Sequence, residues 1–166
     1  MVPHRSNRRR DIQLDFTFTV RSEPIPAELR PEWRISLLLL MLLRAGWGGS
    51  MSLKKAHVLS SAVRTVEARE RLLRMLDGNR YLDDVPVRID PSLNRAIDYA
   101  IAEKVIVAEV RSNTCVLKLR PSGEAIARQI YAADDCMQVE KEFADRLRGN
   151  LTNEKVDELL NWETTL

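Results

Sequence analysis

Apolar residues recur at helical spacing along most of the chain. The run from Ile35 to Leu43 is apolar except for Ser36, and Pro31 stands where the first turn of a helix would begin. This pattern predicts a helix from Pro31 to about Ala45 that is apolar almost all round and therefore central. The run is shorter than the roughly 18 apolar residues that a membrane span requires, so no membrane segment is expected.

Three more helices, each with one apolar face, are predicted before residue 103. The first follows a cap at Ser50 or Ser52 and carries Lys55 on its outer side, and the second covers about residues 66–76. The third begins at Asp90, which is followed by a proline at the first helical position. We expect these apolar positions to face the core: Leu53, Ala56, Leu59, Val63, Leu72, Leu73, Leu76, Leu93, Ala96, Ile97, Ala100 and Ile101.

Two regions have the patterns of β-strands. Residues 11–20 alternate strictly between apolar and polar and place Phe16 and Phe18 on one face. This predicts a half-buried strand, which needs cover from its own domain or from a partner. Residues 105–110 and 114–119 are rich in apolar and β-branched side chains on either side of a polar tip, which predicts a hairpin.

Three helices are predicted after the hairpin. The first begins at Pro121, the second covers about residues 136–147, and the third runs from a Thr152 cap to about residue 162. The last two have apolar stripes that can pack on a partner or on a second copy of the chain. Together with the strand and two tryptophans expected to be exposed, they supply the predicted partner interface: Phe16, Phe18, Trp47, Phe143, Leu147 and Trp162.

The order of these elements indicates a fold class. Three helices, a capped helix, a two-stranded hairpin and a further helix are the sequence of elements in a winged helix-turn-helix. The predicted protein is therefore mainly α with a small β part: a winged-helix core with an N-terminal strand and C-terminal helical additions. We predict a basic tail and strand in residues 1–30, the winged-helix domain in 31–131 and C-terminal helices in 132–166.

Composition supports a globular protein without cofactor chemistry. The chain has 166 residues, of which 45% are apolar and 30% charged, enough for one compact domain with appendages. Cys115 and Cys136 stand alone, which predicts reduced thiols and no metal-ligand cluster. The first residues lack the apolar segment and cleavage site of a secretory signal, so a cytoplasmic location is expected.

No catalytic constellation is found in the sequence. The two histidines, His4 and His57, have no nucleophile placed beside them by any recognisable motif. The segment 48–52 resembles a nucleophile elbow but lacks the closing glycine and the strand-to-helix context. Neither a Walker loop nor a dinucleotide-binding glycine motif occurs. We therefore expect a protein that is not an enzyme and that uses no cofactor or metal.

Positive charge is concentrated at the N-terminus. The first ten residues carry a net charge of +4, against −2 for the rest of the chain. Arginines on an extended segment can follow a nucleic-acid backbone, which predicts weak, non-specific DNA binding. The alternative is a winged-helix transcription regulator that reads DNA through its fourth helix and hairpin. The candidate contacts are Arg5, Arg8, Arg9 and Arg10 in the tail and Arg95, Arg111 and Lys118 in the fold.

Three stretches of the chain carry a resemblance to a known family. They are the leucine run at 34–43, the segment Ser52-Leu53-Lys54-Lys55-Ala56-His57-Val58-Leu59-Ser60-Ser61-Ala62-Val63-Arg64, and the helix at 90–103 that begins Asp90-Pro91-Ser92-Leu93-Asn94-Arg95. They resemble the middle component of bacterial ABC-three-component antiphage systems, the group that includes the accessory subunit of Lamassu defence. The match covers most of residues 30–130.

The resemblance implies an accessory function. A subunit of this kind would link an SMC-like ATPase to an effector, commonly a nuclease, in a complex that senses foreign DNA. Similar winged-helix partners of SMC-type complexes dimerise or clamp the neck of the ATPase, so a homodimer is also implied. The resemblance transfers no catalytic residue to this chain.

Overall fold

The computed structural model describes residues 30–79 and 90–161. This part of the chain forms seven helices and a three-stranded antiparallel sheet. The elements in chain order are α1 (Pro31–Arg44), β1 (Ser50–Ser52), α2 (Leu53–Ala62), α3 (Val66–Leu76), α4 (Pro91–Ala102), β2 (Ile106–Arg111), β3 (Thr114–Leu119), α5 (Pro121–Ala132), α6 (Gln138–Leu147) and α7 (Asn153–Asn161). The arginine tail, the strand predicted at 11–20 and Trp162 lie outside the described residues.

Helix α1 lies at the centre of the structure, as its sequence predicts. Six consecutive residues, Leu37 to Leu42, are buried, which requires neighbours on every side of the helix. Those neighbours are helices α2, α4, α5 and α6 and strands β1 and β3. The apolar run at 35–43 is therefore explained by packing within the protein.

The sheet has the strand order β1-β3-β2. Strands β2 and β3 form the predicted hairpin, closed by Ser112 and Asn113, whose φ angles are 46° and 61°. Two consecutive positive φ angles give a type I′ turn, the turn that matches the twist of a two-residue hairpin. Strand β1 was not predicted, because three residues are too few to show an alternating pattern.

Side-chain caps begin three of the helices, at the predicted Ser52 and Asp90 and also at Thr65, for which no cap was predicted. The side chains of Ser52 and Thr65 accept hydrogen bonds from the first turns of α2 and α3, at 3.2 Å and 3.1 Å. Asp90 accepts from the Ser92 backbone N–H at 3.0 Å and also binds Arg34 of α1 at 2.7 Å. The cap of α4 is thus joined to the central helix.

The C-terminal helices pack into the same core as α1. Phe143 and Leu147 of α6 are 3% and 0% exposed, and Val156 and Leu159 of α7 are also buried. This corrects the expectation that Phe143 and Leu147 face a partner. Their stripe covers the chain's own interior, with α6 against α1.

Lys55 is a second correction, since the helical pattern places it on the outer side of α2. Its side chain is buried, and its ammonium group donates a 2.7 Å hydrogen bond to the Ala45 carbonyl at the end of α1. A cation at this position complements the negative end of the helix dipole. Burial lowers the pKa of Lys55.

Within the described residues, every helix is too short or too polar to cross a membrane.

Candidate functional site

The outward side of α4 is the first candidate surface. Its exposed residues recur one helical turn apart, and we call them the α4 face: Asn94, Arg95, Asp98, Tyr99 and Ala102. The opposite side of the helix buries Leu93, Ala96, Ile97 and Ala100, as predicted.

Two large apolar side chains are exposed at the end of α4. Tyr99 is 54% exposed, and Ile101 is 39% exposed although the stripe predicts it to be buried. Ile101 belongs to the last turn of the helix, where the core ends. Tyr99 lies four residues after Arg95 and outside the apolar stripe, so its exposure could have been predicted from the spacing.

Charges on and beside the α4 face cancel. Arg95 and Lys104 are opposed by Asp98 and Glu103, and all four side chains are exposed. DNA affinity depends on several phosphate contacts made by cations. Among the described residues, these four charges on and beside α4 sum to zero and contribute no net positive field for DNA.

The hairpin contributes one neutralised cation and one accessible cation. Arg111 at the tip donates from Nε to the Glu109 carboxylate at 2.9 Å, so its charge is paired on its own strand. Lys118 lies on the same face of the sheet, at the opposite end of the hairpin, next to Ser50 of β1. The two predicted contacts therefore lie about four strand residues apart, or roughly 13 Å.

Trp47 lies on a tight turn at the end of α1 and is 90% exposed. The turn closes through two hydrogen bonds between Trp47 and Ser50, of 2.8 Å and 3.1 Å. Gly48 and Gly49 between them have φ angles of 55° and 72°, which glycine adopts without strain. The indole is thus held away from the core on a short, hydrogen-bonded support, as expected for an exposed anchor.

An open groove runs from Trp47 to the start of α7, and we call it the Trp47 groove. Trp47 and Lys118 both line it, although no sequence pattern associates these two residues. Arg128 also lines the groove but is paired with Glu124 at 2.6 Å. The charged side chains that line it are Lys55, Lys118, Glu124, Arg128, Arg148 and Glu154.

His57 lies on α2 close to the first turn of α4. Burial lowers its pKa, while Asn94 and Asp90 act in the opposite direction. Its Nδ1 atom is buried and makes no hydrogen bond within the described part of the chain. Neither Asn94 nor Asp90 is a nucleophile that His57 would activate as a base.

The cysteines and acidic residues of the described structure do not meet the requirements of a metal site. Cys115 and Cys136 are free thiols, each partly exposed. No three His, Cys, Asp or Glu side chains among residues 30–79 and 90–161 are grouped so that they could hold a metal ion.

Several predicted contact residues lie outside the described residues and stay predictions. They are Arg5, Arg8, Arg9, Arg10, Phe16, Phe18 and Trp162. A scan of family models and searches of curated proteins and of solved structures found no significant match to the chain.

Proposed function

We propose that this protein is a non-enzymatic accessory subunit that links an SMC-like ATPase to an effector, such as a nuclease, in an antiphage defence complex. The resemblance of residues 30–130 suggests this assignment. The element order α1-β1-α2-α3-α4-β2-β3, with β3 between the other two strands, supports a winged-helix core. In such a core, α4 occupies the position of the recognition helix.

The observation that carries the proposal is the chemistry of the α4 face and its surroundings. Tyr99 and Ile101 expose apolar area in the last turns of α4, beyond the N-terminal part through which a recognition helix contacts base edges. Tyrosine is enriched among the anchor residues of protein interfaces because it combines apolar area with a hydrogen-bonding group. With neighbouring charges that cancel, this surface fits a protein partner better than a polyanion.

The exposure of Trp47 supports a second protein contact. Its side chain is almost fully exposed, and its backbone is held by a hydrogen-bonded turn, so the backbone loses little conformational entropy when the indole is covered. A subunit that joins two proteins needs two surfaces. We assign the α4 face to the ATPase and the Trp47 groove to the effector.

The alternative is a winged-helix transcription regulator. Asn94 and Arg95 favour it, because both are exposed on α4 and belong to the residue types that read adenine and guanine in the major groove. The two functions differ in the residue of α4 that they need: a linking subunit needs Tyr99 to bind its protein partner, and a regulator needs Arg95 to bind DNA. They also differ in gene context, since a linking subunit is expected beside genes for an ATPase and an effector.

A binding experiment with matched variants tests the proposal. The full-length chain and the SMC-like ATPase that the proposal expects to be encoded beside it are purified separately, and their affinity is measured by calorimetry for wild type, Tyr99→Ser and Val66→Ser. Val66 is the control because it is also 54% exposed but lies on α3. Tyr99→Ser should weaken binding by about 2 kcal/mol, roughly thirtyfold.

The same titrations decide against the proposal if Tyr99→Ser and Val66→Ser bind the ATPase equally well. Tight, sequence-dependent DNA binding that is lost on Arg95→Ala would establish the regulator instead, since a base-contacting arginine contributes about 1–3 kcal/mol of discrimination.

A further inference from the structure

The sheet has one closed edge and one open edge within the described residues. At the β1 edge, the outward N–H and carbonyl groups of Ser50 are bonded to Trp47, so the chain's own turn already occupies this position. Strand β2 forms the other edge, because β3 is its single neighbour in the sheet. An open edge exposes a row of unpaired backbone donors and acceptors.

The register shows which groups of β2 point away from the sheet. The Arg120 N–H donates to the Val105 carbonyl at 2.9 Å, which makes these two residues a hydrogen-bonded pair. Hydrogen-bonded pairs alternate with non-bonded pairs along an antiparallel ladder, so Val107 and Glu109 bond to β3. The backbone groups of Ala108 and Val110 therefore point outward, at the edge.

The side chains of the same residues continue an apolar face past the core. Ile106 lies on this face of β2 and is buried, whereas Ala108 is exposed and Val110 is 78% exposed. Cys115 lies directly opposite Val110 on β3 and is half-buried. This part of the hairpin thus combines unpaired backbone groups with an exposed apolar surface.

We propose that residues 11–20 of this same chain add to β2 as a fourth strand. Their strict alternation gives one apolar face, formed by Ile12, Leu14, Phe16, Phe18 and Val20. Placed beside β2, this segment would supply the missing backbone partners of Ala108 and Val110, and its apolar side chains would pack beside theirs on the same face of the sheet.

The connecting chain is long enough for this pairing. Arg34 near the start of α1 is bound to Asp90 at the start of α4, and α4 is about 18 Å long and leads directly to β2. The nine residues 21–29 span up to about 30 Å when extended. The strand can therefore reach the edge from α1 without any rearrangement of the helices.

In this proposal Phe16 and Phe18 pack in the chain's own sheet, whereas the sequence analysis predicts them at a partner interface. It also leaves the α4 face available for docking, because the fourth strand lies at the edge of the hairpin. The pairing is independent of the proposed function, so either can fail without the other.

Amide hydrogen exchange of the full-length chain tests the pairing. The Ala108 and Val110 amides should exchange slowly in wild type, and Phe16→Asp with Phe18→Asp should accelerate both by about tenfold or more. Thr17→Asp with Thr19→Asp adds the same charge to the opposite face and should leave them slow. The Val107 and Glu109 amides, bonded to β3, report in every variant that the hairpin remains folded.

Fast exchange at Ala108 and Val110 in the wild-type chain would overturn the proposal. So would slow exchange that is lost on dilution, because a second copy would then supply the strand. Protection that arises only after the ATPase is added would likewise overturn it and assign the edge to a partner strand.

Discussion

Gly123 allows α5 to begin directly against the chain at Val105. A Cβ atom at this position would overlap the Val105 carbonyl group, which is backbone and is held by its hydrogen bond to Arg120. The glycine therefore fixes how closely α5 approaches the start of β2. This close approach lies at the junction of the hairpin with the helical core.

We predict that Gly123→Ala destabilises the protein by about 2–3 kcal/mol through overpacking against backbone. Gly78→Ala is the control, since a Cβ there meets nothing within 4 Å and only the positive φ of 86° resists it. It should cost about 1 kcal/mol. Urea unfolding followed by circular dichroism measures both, and equal midpoints would contradict the steric explanation.

Single residues also show the limit of pattern-based prediction. Leu93 and Ala96 are buried as their spacing predicts, because periodicity reports which side of a helix faces the core. The burial of Lys55 and the exposure of Ile101 depend on where the neighbouring elements end. Spacing along one helix contains no information about those distances.

The ion pair between Asp90 and Arg34 connects the start of α4 to α1. Both side chains are nearly buried, at 8% and 11% exposure. Burial raises the pKa of Asp90, but the hydrogen bonds from Ser92 and the charge of Arg34 outweigh it and hold that pKa below its usual range. The carboxylate therefore stabilises the fold at neutral pH, and this contribution is lost as the pH falls through its lowered pKa.

We predict that Asp90→Ala costs about 3 kcal/mol, because it removes a helix cap and also leaves Arg34 nearly buried without its partner. Thr65→Ala removes the exposed cap of α3 and should cost about 1 kcal/mol. Thermal unfolding at pH 7 compares the two variants. Similar losses would show that the contact with α1 contributes nothing beyond capping.

Among the elements, the helices and the hairpin were predictable and β1 was not. Caps at Ser52, Thr65 and Asp90 are local signals, since each side chain bonds a backbone group two or three residues away. Strand β1 exists because β3 lies beside it, which is a long-range contact. The same division holds for the candidate site. The exposure of Arg95 on α4 follows from helical spacing, whereas the groove lined by Trp47 and Lys118 depends on the unpredicted pairing of β1 with β3.

The uneven distribution of charge along the chain separates a DNA contact by the N-terminal tail from a protein contact by the folded part. The first ten residues carry +4 and the rest of the chain −2, while the described surface pairs Arg111 with Glu109 and Arg128 with Glu124. Any DNA contact is therefore expected from the tail. The apolar stripe of α6 is covered by the same chain, and sequence alone does not reveal whether such a face packs internally or on a partner.

We predict weak duplex binding without sequence preference, with a slope of about −3.6 in log K against log salt if four arginines each contact a phosphate. Replacing Arg5, Arg8, Arg9 and Arg10 by Ala should remove most of it, and Arg95→Ala should change it little. Fluorescence anisotropy at several salt concentrations measures both. Binding that survives loss of the tail would contradict this assignment.

We predict that the α4 face contacts protein rather than DNA. The most direct measurement places a photoreactive phenylalanine analogue at position 99 in the full-length chain and irradiates it with the ATPase and duplex DNA present, with the analogue at position 66 as control. We predict a crosslink from position 99 to the ATPase and none from position 66. A crosslink from position 99 to DNA, or equal yields of ATPase crosslink from both positions, would contradict this prediction.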